Sequence, residues 1–419
     1  MRQYFELFKI PGAAAFCGAA LVARGGGAMT GIGTVMMVSA VYGSYGLAGV
    51  LSAANVIAWA VGTAVLSNLV DRYGQRRVML PAALTSAGTL AVFVVLGALR
   101  APAWMLFAPA VLSGATGGAP GAMVRARWNW AVRNARQLHT AFSLESTLDE
   151  LCFVVGPVAA TFLATQVAPS AGLIAPVILG AGGALWFYSL RATEPPAGKR
   201  GPTGGIVLEG GPRTLRRRLR SLLGGLILMI PGVIAVAVVT VMVGVLFGAC
   251  DVTVVAATED WGVKQLSGLV LGAISLGSAI GGLAYGTRNW VSSVARRWVV
   301  CLGLLAGACL AVLVATGPVF LALVGFAAGL TIAPTMINLN SLMQSLVPTR
   351  RLTEGLAWVG TSLGVGVALG ASLAGQLIDK IGYPAGFAVM AAAGFVAAGL
   401  ALANARSVSR AARRVAGTR

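Results

Sequence analysis

Charge is almost absent from long stretches of this chain. Charged residues are only 10% of the 419, and they gather in short clusters. Between the clusters run segments of roughly 20 residues built from Ala, Val, Leu, Gly and Ile. At about 1.5 Å rise per residue, each is long enough for a helix to cross a hydrocarbon core of about 30 Å. Hydrophobic residues make up 57% of the chain and its mean hydropathy is +0.84, more apolar surface than a soluble protein of this size can hide. The pattern predicts an all-α polytopic membrane protein. An open strand in lipid would leave its backbone unsatisfied, and the alternation of a membrane barrel is missing.

About twelve spans are expected, at 12–38, 46–70, 78–99, 104–124, 139–164, 171–190, 232–257, 265–286, 297–316, 318–345, 355–378 and 383–404. The longest polar segment, 191–221, contains Pro195-Pro196 and Arg216-Arg217-Arg218 and divides the spans six and six. The expected units are an N-terminal bundle over 1–190, a basic cytoplasmic linker over 191–221, a C-terminal bundle over 222–404 and a basic tail over 405–419. The linker's basic end suits anionic lipid headgroups.

A formal net charge of +19 ordinarily suggests a nucleic-acid partner. Here position decides otherwise. With the N-terminus in the cytoplasm, all but Arg24, Arg100, Lys264 and Lys380 of the 31 basic residues fall on the inner side, as the positive-inside rule requires. Both termini are then cytoplasmic, in a plasma (inner) membrane. No recognition helix, RNP motif or zinc finger accompanies the charge. The five cysteines lie in apolar stretches without metal-ligand spacing and read as buried, reduced thiols. No cofactor or metal is expected.

After the second span comes Ser67-Asn68-Leu69-Val70-Asp71-Arg72-Tyr73-Gly74-Gln75-Arg76-Arg77. This resembles the signature loop of the major facilitator superfamily, Gly-x-Leu-x-Asp-Arg-x-Gly-Arg-Arg, at the place where that family carries it. Ser67 stands for the leading Gly and Gln75 for one basic position. A degraded echo, Gly281 to Arg288, follows span eight with Tyr285 at the acidic position, and Gly375 to Gly382 at the end of span eleven is also typical of the superfamily. The resemblance implies two related six-helix bundles around a central cavity, working by alternating access. It also implies that Asp71 faces the positive N-terminus of span eleven, near Leu352-Thr353-Glu354, as a gate latch supported by Arg72, Gly74 and Arg76.

The acids inside spans are the mechanistic candidates. An ionised group near the bilayer centre costs at least about 2.5–3.5 kcal/mol, so it should face a cavity or a partner. Span five carries Glu145-Ser-Thr-Leu-Asp149-Glu150, and span one carries Arg24 at similar depth. Arg24 is expected to pair with Asp149 or Glu150, either as part of the transport cycle or as a permanent ion pair. Asp251 in span seven is either a proton relay or cation attractor or a snorkelling acid near the interface, and His139 reads as an interface residue. Thr331, Thr335 and Asn338 in span ten recur at helical spacing; they either line a cavity or bond neighbouring helices. Gly156-Pro157 is partly similar to a motif of superfamily antiporters. Gly268/Gly272, Gly277/Gly281, Gly360/Gly364 and Gly366/Gly370 are close-packing pairs.

These readings converge on a monomeric secondary transporter exporting a small hydrophobic or cationic molecule in exchange for protons, with membrane lipids as its other partners. A nutrient importer of the same fold and a transport-inactive receptor or scaffold are the alternatives. No phosphate-binding loop for ATP is present, and no nucleophile–base set suggests an enzyme.

Overall fold

The apolar stretches become helices because a helix satisfies every internal backbone group without help from solvent. The computed structural model describes residues 6–132, 134–196, 232–286, 288, 290–347 and 352–417. Within these, the side chains of Asp71, Arg136, His139, Glu150 and Glu354 lie outside the described residues, as does the linker beyond Pro196.

The first half comprises α1 (Ala13–Tyr42), α2 (Tyr45–Tyr73), α3 (Gln75–Ala98), α4 (Phe107–Gly117), α5 (Pro120–Ala131), α6 (Ala135–Gln166) and α7 (Ala171–Ser189). The second comprises α8 (Val233–Asp260), α9 (Ser267–Gly286), α10 (Val294–Val312), α11 (Pro318–Leu346), α12 (Leu352–Ile381) and α13 (Tyr383–Gly417). Among the described residues there is no strand, and 11 helices are long and apolar enough to cross a membrane. The protein is a multi-pass membrane protein.

Two elements differ from the sequence reading. The fourth span, expected as one helix over 104–124, is broken into α4 and α5. Gly118 sits at φ 63, and Ala119, which precedes Pro120, is extended at φ −130. Proline disfavours helical geometry in the residue before it and suits the first position of a new helix. The Gly118 carbonyl freed by the break accepts a hydrogen bond from Trp59 Nε1 at 2.7 Å. The last span does not stop at 404 but runs as helix to Gly417.

The two halves repeat one another. α1 and α8 both start after a left-handed glycine, Gly12 at φ 81 and Gly232 at φ 92. Small residues set the closest approaches. Gly366 and Gly370 of α12 lie against the backbone of α8 at Val241 and Val245, and Gly277 and Gly281 of α9 against Phe326 and Leu330 of α11. A side chain at these glycines would strike a carbonyl oxygen. In lipid, where apolar tails compete for every apolar face, such contact is a main source of helix association.

The distribution of the core is uneven. At the face holding Arg72, Arg76 and Arg77, called here the basic face, there are two separate apolar clusters. One, in the first half, includes Phe16, Val124, Trp128 and Phe187; the other, in the second half, includes Val233, Trp298, Leu342 and Leu346. Toward the opposite face a single cluster joins both halves, with Met36, Met37 and Leu51 packed with Val252, Ala371 and Ile378. The helix pairs that span the halves touch along that end. Gly49 of α2 meets Ala371 of α12, and Gly268 of α9 lies where a Cβ would be 2.7 Å from the Pro157 carbonyl of α6. At Gly364 a Cβ would be 3.7 Å from Val56, and at Gly360, one turn nearer the basic face, nothing lies within 4 Å. The halves are joined at one end and part toward the other.

Candidate functional site

Four charged side chains meet between α1, α5 and α6. Glu145 and Asp149 are one helical turn apart, so both project from the same face of α6. Arg24 of α1 bridges them: Nη2 donates to Glu145 Oε2 at 2.6 Å and Nη1 to Asp149 Oδ1 at 2.8 Å, while Nε donates to the Ala20 carbonyl at 3.2 Å. Arg125 of α5 donates to the other Asp149 oxygen at 2.8 Å. Two guanidinium and two carboxylate groups make the cluster formally neutral, which lowers the cost of placing it in a low-dielectric interior.

The expected pairing of Arg24 with Asp149 is present; Glu150 lies outside the described side chains. Two members of the cluster go beyond that expectation: Glu145, named in the acidic group of span five but not as a partner of Arg24, and Arg125. Glu145 had a usable signal, its spacing of four from Asp149. Arg125 had none: it is one of the many basic residues assigned to the inner side, and only the break at Gly118 starts α5 where Arg125 can reach the cluster. Gly121 in the first turn of α5 leaves the room, since a Cβ there would lie 3.1 Å from Arg125 Nη1 and 3.8 Å from Arg24 Cδ.

The two acids live in different surroundings. Glu145 is fully buried, and its second oxygen accepts from Trp128 Nε1 at 2.7 Å and from the Cys17 thiol at 3.3 Å. Three donors from α1 and α5 thus share its two oxygens. The Asp149 side chain is 31% exposed and that of Arg125 32%. The cluster thus has a dry half that fixes Arg24 and a wet half that solvent or a small molecule can reach.

Asp251 lies on α8 within a run, 248–258, in which every other residue is buried. A lipid-facing residue would share its exposure with neighbours three and four positions away. Of the residues at those positions Gly248, Val254 and Val255 are buried and Phe247 is half-buried, so the exposure at Asp251 is narrow. No hydrogen bond or ion pair to it is seen among the described residues. Counting from Gly12 and Gly232, its counterpart on α1 is Gly31, which also faces open space.

The remaining candidates are placed as follows. Thr331 and Thr335 bond carbonyls of their own helix, both at 2.7 Å. Asn338 is buried, accepts from the Tyr285 hydroxyl at 2.8 Å and donates to the Pro334 carbonyl at 2.8 Å. Tyr285, at the acidic position of the degraded loop, stacks on Trp290 with ring centres 4.7 Å apart. In the first loop Arg72 is exposed and Gly74 adopts φ 91 between α2 and α3. Gln75 is a buried bracket that accepts from Arg127 Nε at 3.1 Å and donates to the Met123 carbonyl at 3.1 Å. The Arg76 backbone N–H donates to Glu194 at 2.9 Å.

Comparison with known proteins agrees with this architecture. The family model described as Major Facilitator Superfamily matches residues 16–286 and 253–417. No curated protein matches the sequence. Among solved structures, a mutant of the nucleoside transporter NupG superposes with a TM-score of 0.73 at 13% identity, covering 93% of this chain and 98% of that one. The human organic anion transporter MFSD10 (TETRAN) gives 0.61 at 15% identity, covering 92% and 97%. At these identities the likeness is one of fold.

Proposed function

Since the chain belongs to the Major Facilitator Superfamily, a family of transporters rather than enzymes, we propose that it is a proton-coupled antiporter that exports a small hydrophobic or cationic molecule by alternating access. In this reading the basic face is cytoplasmic, as the positive-inside rule favours, and the halves rock about a substrate held between them. The observation that carries the proposal is the split environment of the buried charges. Glu145 is locked by three donors, whereas Asp149 is shared by two guanidinium groups and is reachable from water.

A proton arriving at Asp149 removes the charge that Arg24 and Arg125 share, and leaves Arg24 held by the Glu145 carboxylate and the Ala20 carbonyl. Arg125 then loses its ion pair and keeps its bond to the Gly121 carbonyl of its own helix, at 3.2 Å. Protonation thereby changes which contacts α5 makes with α6, the kind of differential interaction a proton needs if it is to bias a conformational equilibrium. Asp251 supplies a second, unpaired acid that a cationic substrate or a proton can occupy in turn. Asp71 serves as the basic-face latch against the N-terminus of α12 when that face closes.

The test is counterflow and proton-gradient-driven flux in proteoliposomes, with compounds first chosen by thermal shift at two pH values. Bound ligand stabilises by mass action. Asp149→Asn should abolish the proton-driven component while leaving counterflow of bound compound. Flux that stays fully gradient-driven in this variant would remove Asp149 from the coupling mechanism. The sign of the flux under an inward proton gradient separates export from import, and absence of counterflow for every stabilising compound would favour a receptor.

A further inference from the structure

The face opposite the basic one is held shut by a contact that the transport cycle has to break. Asp379, near the end of α12, reaches across the boundary between the halves to the start of α2. Its Oδ1 accepts from the Tyr45 backbone N–H at 2.7 Å, and its Oδ2 from the Gly46 N–H at 2.8 Å and the Ser44 hydroxyl at 2.6 Å. Ser44 Oγ in turn accepts from the Leu47 N–H at 3.0 Å. The first free N–H groups of α2 are thus satisfied, two of them by a carboxylate from the other half. A negative charge at that position also meets the positive end of the helix dipole. Gly46 makes the approach possible, because a Cβ there would lie 2.8 Å from Asp379 Oδ2. Beside it, the Tyr45 hydroxyl donates to Glu259, which pairs with Lys264 at 2.9 Å, and Lys264 donates to Ser39 Oγ at 3.2 Å.

The residues around Asp379 repeat those around Asp71. Leu69-Val70-Asp71-Arg72-Tyr73-Gly74 ends α2, and Leu377-Ile378-Asp379-Lys380-Ile381-Gly382 ends α12. Each Asp is the third-last residue of its helix. Each segment closes on a glycine with positive φ, 91 at Gly74 and 94 at Gly382. The two helices are antiparallel neighbours, so each one's acidic end is on the same face of the protein as the other's N-terminus.

We propose that Asp379 is the releasable latch of the face opposite the basic one, and that α2 and α12 form a two-ended switch. Asp379 holds the N-terminus of α2 in the state seen here, and Asp71 holds the N-terminus of α12 in the alternate state. The inference rests on the alternating-access reading, but its test needs no substrate. The two latches exclude each other, because rocking the halves to bring one pair together separates the other. Three hydrogen bonds at an exposed site hold the face closed without the desolvation cost of a buried pair, which suits a contact made and broken in every cycle.

Hydrogen exchange read by mass spectrometry, on the full-length protein in lipid nanodiscs, tests this directly. Asp379→Ala should speed exchange at residues 43–56 and 364–381 by roughly tenfold, about the weight of one charge-assisted hydrogen bond. It should also slow exchange at 57–73, where the basic ends of α2 and α12 come together. Gly46→Ala, which crowds the carboxylate out while keeping Asp379, should give the same two-sided pattern and serves if Asp379→Ala does not fold. Lys380→Ala should behave as the parent protein. Faster exchange at 43–56 with no gain of protection at 57–73 would make Asp379 a mere helix cap and overturn the proposal. So would an equal response from Lys380→Ala, or no change in either variant. A two-sided response in a protein that then shows no counterflow would leave the latch standing and remove the transport reading instead.

Discussion

The two halves are built on one plan and stabilised by different chemistry. In the first half, α1 meets α6 through Arg24, Glu145 and Asp149, and α5 adds Arg125 and Trp128. In the second, the corresponding pair is α8 with α12, and the residue matching Arg24 is Gly244. A Cβ there would lie 2.8 Å from the Gly366 Cα. At this level the first pair is tied by charge and the second by glycine backbones in near contact. The loops differ in the same sense. The first half keeps Asp71, and the second replaces it with Tyr285, bonded to Asn338 and stacked on Trp290. The difference teaches that the two repeats join matching helices by different means: Arg24, Arg125, Glu145 and Asp149 form ion pairs in the first, whereas the second packs glycines there and carries Asp251, for which no ion pair is seen among the described residues.

That contrast makes graded predictions. The largest effect should come from Glu145→Ala, which strips a buried guanidinium of one carboxylate. Breaking a buried pair costs about 3–5 kcal/mol, so unfolding in detergent should occur at markedly lower temperature; an unchanged melting curve would mean that the pair is not what ties α1 to α6. Next, Gly366→Leu forces side-chain volume between α8 and α12, where overpacking costs about 1–3 kcal/mol. The same measurement should show a loss, and a neutral result would break the claim that close backbone contact holds the second half. Trp128→Phe keeps the packing against Phe16, whose ring centre lies 4.7 Å away, and deletes one hydrogen bond to Glu145. It should cost about 1–3 kcal/mol and be tolerated in transport. Asn338→Ala removes the uncharged interhelical bond of the second half, worth about 0.6 kcal/mol in a membrane; a cost approaching that of Glu145→Ala would erase the asymmetry. Asp251→Asn should leave the melting temperature within error of the parent, because no partner among the described residues loses a contact, while altering flux in proteoliposomes.

Much of this was legible from particular residues. The charge-free stretches located the helices, and the Asp71 loop placed the chain in its family. The match over 16–286 and 253–417 bears out that placement. Arg24 and Asp149 were legible as partners because equal depth in neighbouring helices is a one-dimensional property. Four things were not. The break at Gly118 was hidden because Gly-Gly-Ala-Pro within an apolar stretch reads equally as a tolerated kink. Arg125 was hidden by that break. The pairing of Glu145 with Arg24 was missed because depth was weighed alone, although its spacing of four from Asp149 puts both acids on one face. The reach of Asp379 was hidden because a carboxylate in a loop-like Asp-Lys-Ile-Gly segment has no local sign that a second helix begins within hydrogen-bonding distance of it.

The sequence by itself determined that the chain is helical, membrane-embedded and doubled, because hydrophobic length and the sidedness of arginine are properties of each segment alone. The tertiary structure decided which acid is locked and which is wet, and how tightly each pair of helices can approach. It also decided which end of the molecule is closed. Those outcomes depend on the rotation and register of helices that are distant in the chain. In a membrane, where apolar faces gain little from one another, that rotation and register are set by a few glycines and a few polar contacts rather than by the hydrophobic pattern.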